Sequence, residues 1–140
     1  MTVNLNLTSA SHPLDPLSLQ ELALASSILK REKNLGDKCR FPYLHLAEPD
    51  KHQVLAHVPG QPIPRRAFAL VLDKLTGHTF EALVDLNSQT LVSWQPLDLD
   101  TQGHAPIMIE EFDLCVEAVQ KDPAWRAAGW ATGALPTLFG

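Results

Sequence analysis

At 140 residues and 15.4 kDa the chain can bury one hydrophobic core with an appendage, and 45% hydrophobic against 19% charged residues place it among folded globular domains. Its net charge of -5 leaves no basic excess to offset phosphates, which argues against nucleic acid or an anionic membrane as partner. The opening MTVNLNLTSASH has neither a positive n-region nor an apolar h-region, and no apolar run reaches membrane-spanning length, so a soluble, cytoplasmic chain is expected.

The stretch HPLDPLSLQE, residues 12–21, specifies a helix start. Ser18 and Glu21 form a capping box: the hydroxyl can accept from a first-turn amide while the carboxylate reaches back to the cap amide. Pro13 and Pro16 disfavour an earlier start. Leu22, Ala25 and Leu29 recur at helical spacing, Leu24 and Ile28 widen the stripe, and Lys30, Arg31 and Lys33 suit a helix C-terminus. The pattern predicts a helix from about 18 to 33, closed by Gly36.

From there the period changes from 3.6 to 2. In FPYLHLAE, Phe41, Tyr43, His45 and Ala47 fall on one side and Leu44 and Leu46 on the other. RAFALVLDKL from Arg66, HTFEALVDL from His78 and TLVSWQPLDL from Thr90 read as further strands, with Thr76-Gly77 and Asn87-Ser88 as turns. The proline-punctuated connection 49–64 allows a short strand at 53–58 but no central strand. These elements predict an α+β fold, a helix packed on a four-stranded antiparallel meander.

Asp98 to Gly103 reads as a polar linker. Helical spacing returns in PIMIEEFDLCVEAVQKDP through Met108, Phe112, Cys115, Val116 and Val119, with Glu110 and Glu111 at the N-terminal end and Lys121 at the other. Asp122 and Pro123 open a short second helix ending near Gly129, and the tail from Ala131 has no clear period. The expected organisation is an arm at 1–11, an α+β domain at 12–99, and a C-terminal helical extension at 103–140.

Side-chain chemistry is sparse. Cys39 and Cys115 are expected as buried free thiols rather than a disulfide, and neither belongs to a CxxC pair. Arg65, Arg66, Lys30 and Arg31 read as solvated positions. His52 and His57, five apart, could share a metal but read better as satisfied histidines. Glu81 and Asp85 share one face of a strand and could do acid-base work, yet with no nucleophile or histidine beside them they read as the wet side of a half-exposed sheet. Ser93 lacks a GxSxG elbow and there is no glycine-rich phosphate loop. Trp94, Trp125 and Trp130 could line a pocket but suit core or interface better.

The ordered set HPLDPLSLQEL, AEPDKHQVLAHVPGQPIPRRAF, VLDKLTGHTFEALVDLNSQTLVSWQPL and PIMIEEFDLCVEAVQKDPAWRAA resembles the N-terminal region of copper-containing, quinone-dependent primary amine oxidases. The resemblance runs from His12 to about Gly129. It implies two small cystatin-like domains, of which 12–99 is the first and 103–140 a truncated start of the second. It also implies that the family's copper and its tyrosine-derived quinone belong to a domain not represented here. The single tyrosine, Tyr43 in FPYLH, is not in an Asn-Tyr-Asp/Glu setting, and the histidines His12, His45, His52, His57, His78 and His104 include no His-x-His pair. No catalytic, cofactor-binding or metal-ligating residue is therefore assigned, and no cofactor is expected in this chain. Without electrophile and oxidant, amine oxidation by this chain alone is not expected. Two roles follow: a non-catalytic structural or interaction module, forming a homo-oligomer or meeting a protein partner through the 104–130 helices, or the N-terminal part of a split oxidase. A weaker third is small-ligand binding on the sheet.

Overall fold

The computed structural model describes residues 10–129. The chain divides into two compact units, Met1–Pro106 and Ile107–Gly140.

In the first unit, α1 spans Leu19–Lys33 and begins as expected: Ser18 accepts from the Glu21 amide at 3.3 Å and Glu21 Oε2 accepts from the Ser18 amide at 2.8 Å. Its end differs from expectation. Asn34, not Gly36, takes the left-handed conformation at φ 49°, and the Leu35 amide donates to the Lys30 carbonyl at 3.0 Å. Asparagine tolerates that region better than other residues with a Cβ, and stopping there turns Leu35 back onto the core.

Four strands follow: β1 Cys39–Leu46, β2 Arg66–Asp73, β3 Thr79–Asp85 and β4 Thr90–Pro96, an antiparallel meander in the order β1-β2-β3-β4. The expected sheet is present, with one change of face. The β1–β2 register shifts between Arg40 and Tyr43, which inserts an extra residue into β1. As a result Phe41 and Leu44 both pack against the core, while Tyr43 and His45 stay on the opposite face against Phe68. Strict alternation had grouped Phe41 with Tyr43, and the bulge, at Pro42 on an edge strand, breaks it. A second bulge between Leu83 and Val84 loops Val92 out of β4, so Leu91 and Trp94 both face inward.

The core is the apolar face of α1, with Leu24, Ala25, Ile28 and Leu29, laid on Ala67, Ala69, Val71, Ala82, Val84 and Leu86. Three alanines in the middle of the sheet keep its surface low and leave room for the larger, fully buried Ile28 and Leu29 between helix and sheet. Trp94 stacks on Phe80 with centroids 4.6 Å apart and carries Lys33 over its ring at 5.2 Å. That places Trp94 in packing rather than in a pocket.

Two stretches expected to be strand or linker are helical. Residues 51–55 form α2, Lys51–Leu55, because Asp50 accepts from the Gln53 amide at 3.0 Å; the strand expected at 53–58 is absent. Asp98 likewise caps α3, Leu99–Gln102, with the Thr101 hydroxyl donating to it at 2.7 Å. Both are aspartate N-caps that composition alone blurs into loop.

The second unit holds α4, Ile109–Lys121, and α5, Pro123–Gly129. The Met108 amide donates to Glu111 at 3.0 Å, and the Trp125 amide to Asp122 at 2.7 Å. No residue of α4 is buried. Cys115 is accordingly exposed and Cys39 only half-buried, both as free thiols, which corrects the expectation of two buried ones. Trp130 and the tail from Ala131 lie outside the described residues, as does most of the 1–11 arm. No helix among the described residues is long and apolar enough to cross a membrane.

Candidate functional site

The first unit encloses a charged pair, Glu21 with Arg65, and corrects the expectation that Arg65 is solvated. Arg65 is only 5% exposed and Glu21 2%. Arg65 Nε donates to Glu21 Oε1 at 2.7 Å and Nη2 to Oε2 at 3.1 Å, while Nη1 and Nη2 also donate to the carbonyls of Asp15 and Pro16 at 2.8 and 3.1 Å. The Arg65 amide in turn donates to Asn87 Oδ1 at 2.7 Å. The Arg65 guanidinium thus ties the turn before α1 to the first turn of α1, and its backbone amide adds the β3–β4 connection. Arg66, its neighbour, is exposed as expected and pairs with Asp85 at 3.4 Å. Alternation along the entry to β2 sends the two arginines to opposite sides.

Burial pushes the Glu21 carboxyl up, but hydrogen bonds from Arg65 and from the Ser18 amide, with the guanidinium charge, outweigh it and hold Glu21 below its ordinary value. An ionised carboxylate with every near donor engaged and almost no exposure is a poor proton acceptor, so its chemistry is cohesive rather than catalytic. An open cavity of about 580 Å³ borders the pair, walled by Pro59, Gly60, Pro62, Ile63 and Leu86.

The other sheet face carries a ring cluster. Tyr43 and His45 have centroids 4.4 Å apart, and His45 and Phe68 5.5 Å. Tyr43 is 48% exposed.

The residues weighed from sequence disperse. His52 lies on α2 and exposed, whereas His57 meets His12 edge-on at 6.0 Å with its Nε2 enclosed and without a hydrogen-bond partner. His78 sits in the β2–β3 turn near Phe80 at 6.4 Å, and His104 is exposed after α3. Asp85 is committed to local structure: the Ser88 amide donates to it at 2.9 Å, and this bond with the Arg66 contact keeps its carboxyl below the usual range despite partial burial. Glu81 shares that outer face, half-buried, next to Leu70 in the β2–β3 register. Ser93 pairs in register with Leu83, also on the outer face. Among the described residues no group of three His, Cys, Asp or Glu side chains is placed to hold a metal ion.

The described residues therefore define a helix-on-sheet α+β module fastened by an internal ion pair. Residues 19–94 match the AGAO-like N2 domain family, and the chain belongs to that family. Similar proteins include the primary amine oxidase of Arthrobacter sp. (strain P1), 40% identical over 131 residues, which covers 91% of this chain and 19% of that protein. The histamine oxidase of Arthrobacter globiformis is 31% identical over 128 residues, covering 91% and 18%. A crystal structure of a copper-containing benzylamine oxidase from Hansenula polymorpha superposes with a TM-score of 0.69 at 22% identity over 83% of this chain and 19% of that one, a likeness of fold. The chain thus spans about one fifth of the length of the curated relatives it matches, in their N-terminal regions.

Copper is named for the benzylamine oxidase, and the quinone is what the sequence resemblance implies; the described residues fit neither. Tyr43 lies between Pro42 and Leu44 on an open sheet face, and the histidines do not converge.

Proposed function

We propose that this chain acts as a non-catalytic module with a structural or protein-interaction role, and that the interaction runs through the helices of residues 104–130. The supporting observation is α4, which carries a 3-4-3 stripe of Ile109, Phe112, Val116 and Val119, all exposed; separately, the charged centre of the first unit is sealed and structural. Exposed apolar stripes of this kind mark binding faces. Cytoplasmic residence belongs to the same proposal. The test is a peroxide assay on purified protein with copper and a simple primary amine. Background peroxide is expected, and a yield that rises with protein and with amine overturns the reading.

A second reading is favoured by the 40% identity to a primary amine oxidase of which the chain spans 19%. In it, this module serves a primary amine oxidase whose copper and quinone reside on a separate catalytic chain. Co-purification with such a chain, with peroxide formation that depends on both, is its expected signature.

A further inference from the structure

We propose that the cavity of about 580 Å³ beside Glu21 and Arg65 binds a small uncharged molecule with an apolar body and an amide or carbonyl group. The proposal goes beyond the module reading and concerns the first unit alone.

That volume falls within the roughly 300–1,000 Å³ of small-molecule sites. Pro59, Pro62, Ile63 and Leu86 give it apolar walls, and Gln61 and Asn87 bring carboxamides to it. Both sides are set by hydrogen bonds within the chain. On one, the Gln61 amide donates to the Val58 carbonyl at 3.1 Å across Pro59 and Gly60, with Gly60 at φ 90°, the pattern of a type II turn. On the other, the Leu86 amide donates to the Arg65 carbonyl at 2.9 Å and the Arg65 amide to Asn87 Oδ1 at 2.7 Å. Walls fixed in this way spare a ligand the cost of ordering them.

Charge selects the ligand. Among the described residues, Glu21 and Arg65 are the only ionisable side chains lining the cavity, and they neutralise each other. The guanidinium spends Nε and Nη2 on the Glu21 carboxylate, and Nη1 and Nη2 on the carbonyls of Asp15 and Pro16. Neither partner has a charge left to offer. A cation or an anion entering here leaves water without a counter-charge, whereas an uncharged group loses far less. Hydrogen-bonding capacity is left on Gln61, whose carboxamide has no partner among the described residues, and on Asn87 Nδ2, whose bond to the Ile63 carbonyl is long at 3.5 Å. A carboxamide donates and accepts at once, so this pair matches an amide or carbonyl group.

Benzamide, benzylammonium and benzoate share one ring and differ in charge, so titrating each at neutral pH into the 140-residue chain, read by amide chemical shifts, tests the proposal. Benzamide is expected to shift the amides of Gly60, Gln61, Ile63 and Asn87 saturably, with a dissociation constant on the order of millimolar. The two ions should bind at least about tenfold more weakly. Gln61→Leu, at an exposed position, should weaken benzamide binding about threefold to tenfold, and Ile63→Trp should abolish it by filling the space. Tyr43→Ala, in the ring cluster on the outer sheet face, should leave it unchanged. Unaltered shifts away from each substitution show that the variants are folded; if Ile63→Trp unfolds the chain, Gln61→Leu decides. The absence of a saturable benzamide shift, equal binding of either ion, or shifts centred on Tyr43, His45 and Phe68 overturns the proposal. None of these outcomes bears on peroxide formation, which tests the module reading separately.

Discussion

Glu21 does two jobs, and they draw on different distances along the chain. Its bond to the Ser18 amide is three residues away and follows from the capping-box pattern; its pairing with Arg65 is 44 residues away and does not. Removing one member strands the other without water. Glu21→Ala is expected to cost about 3–5 kcal/mol, measured by urea unfolding, against about 1 kcal/mol for Ser18→Ala. The paired replacement of Glu21 and Arg65 by leucine and methionine should cost much less than the sum of the single changes, because no unpaired charge is left inside. The pH response follows from the sign of the shift. Glu21 is depressed in the folded state, so the stability it contributes is complete above its unfolded value of about 4.3 and is lost as pH falls through the lower folded value. An acid titration of the unfolding midpoint should therefore decline below about pH 4, and the decline should be smaller in the leucine–methionine double variant.

Among the elements, α1 was legible almost completely. Its start, period and basic last turn are encoded within fifteen residues, and the structure places Leu24, Ala25, Ile28 and Leu29 on the buried face. Its stop at Asn34 was not, because asparagine in the left-handed region looks in sequence like any polar residue near a glycine. Asn34→Ala should cost about 1–2 kcal/mol by urea unfolding, and Asn34→Gly should be close to neutral. Along the strands, period 2 gave the four strands and the antiparallel meander, while the bulge in β1 reversed the face of Phe41. A bulge is a property of two strands in register, so one strand's alternation carries no sign of it. Ile28→Ala, which empties the middle of the helix–sheet contact, should destabilise by about 2–5 kcal/mol.

Across the whole molecule the two units differ in what they bury. The first has a closed apolar core and an internal ion pair; the second has helices defined by local caps and no buried residue on α4. Native-state hydrogen exchange should reflect this. Amides of Ala69, Val71 and Val84 are expected to exchange only through global unfolding, and those of α4 much earlier, by local opening. Equal protection in the two units would contradict that division. The candidate site divides in the same way: Phe112, Val116 and Val119 of the α4 stripe could be read from spacing, with Met108 in the place that Ile109 takes, whereas the sealed Glu21–Arg65 pair could not.

Helix starts, strand order and the apolar stripes were settled by local chemistry alone, since capping and periodicity act over a few residues and need no knowledge of the fold. Which arginine is buried, which face Phe41 takes and whether Cys115 is covered depended on contacts between distant segments. Arg65 and Arg66 are chemically identical neighbours, and only the entry angle of β2 against the turn before α1 assigns one to the interior and the other to water.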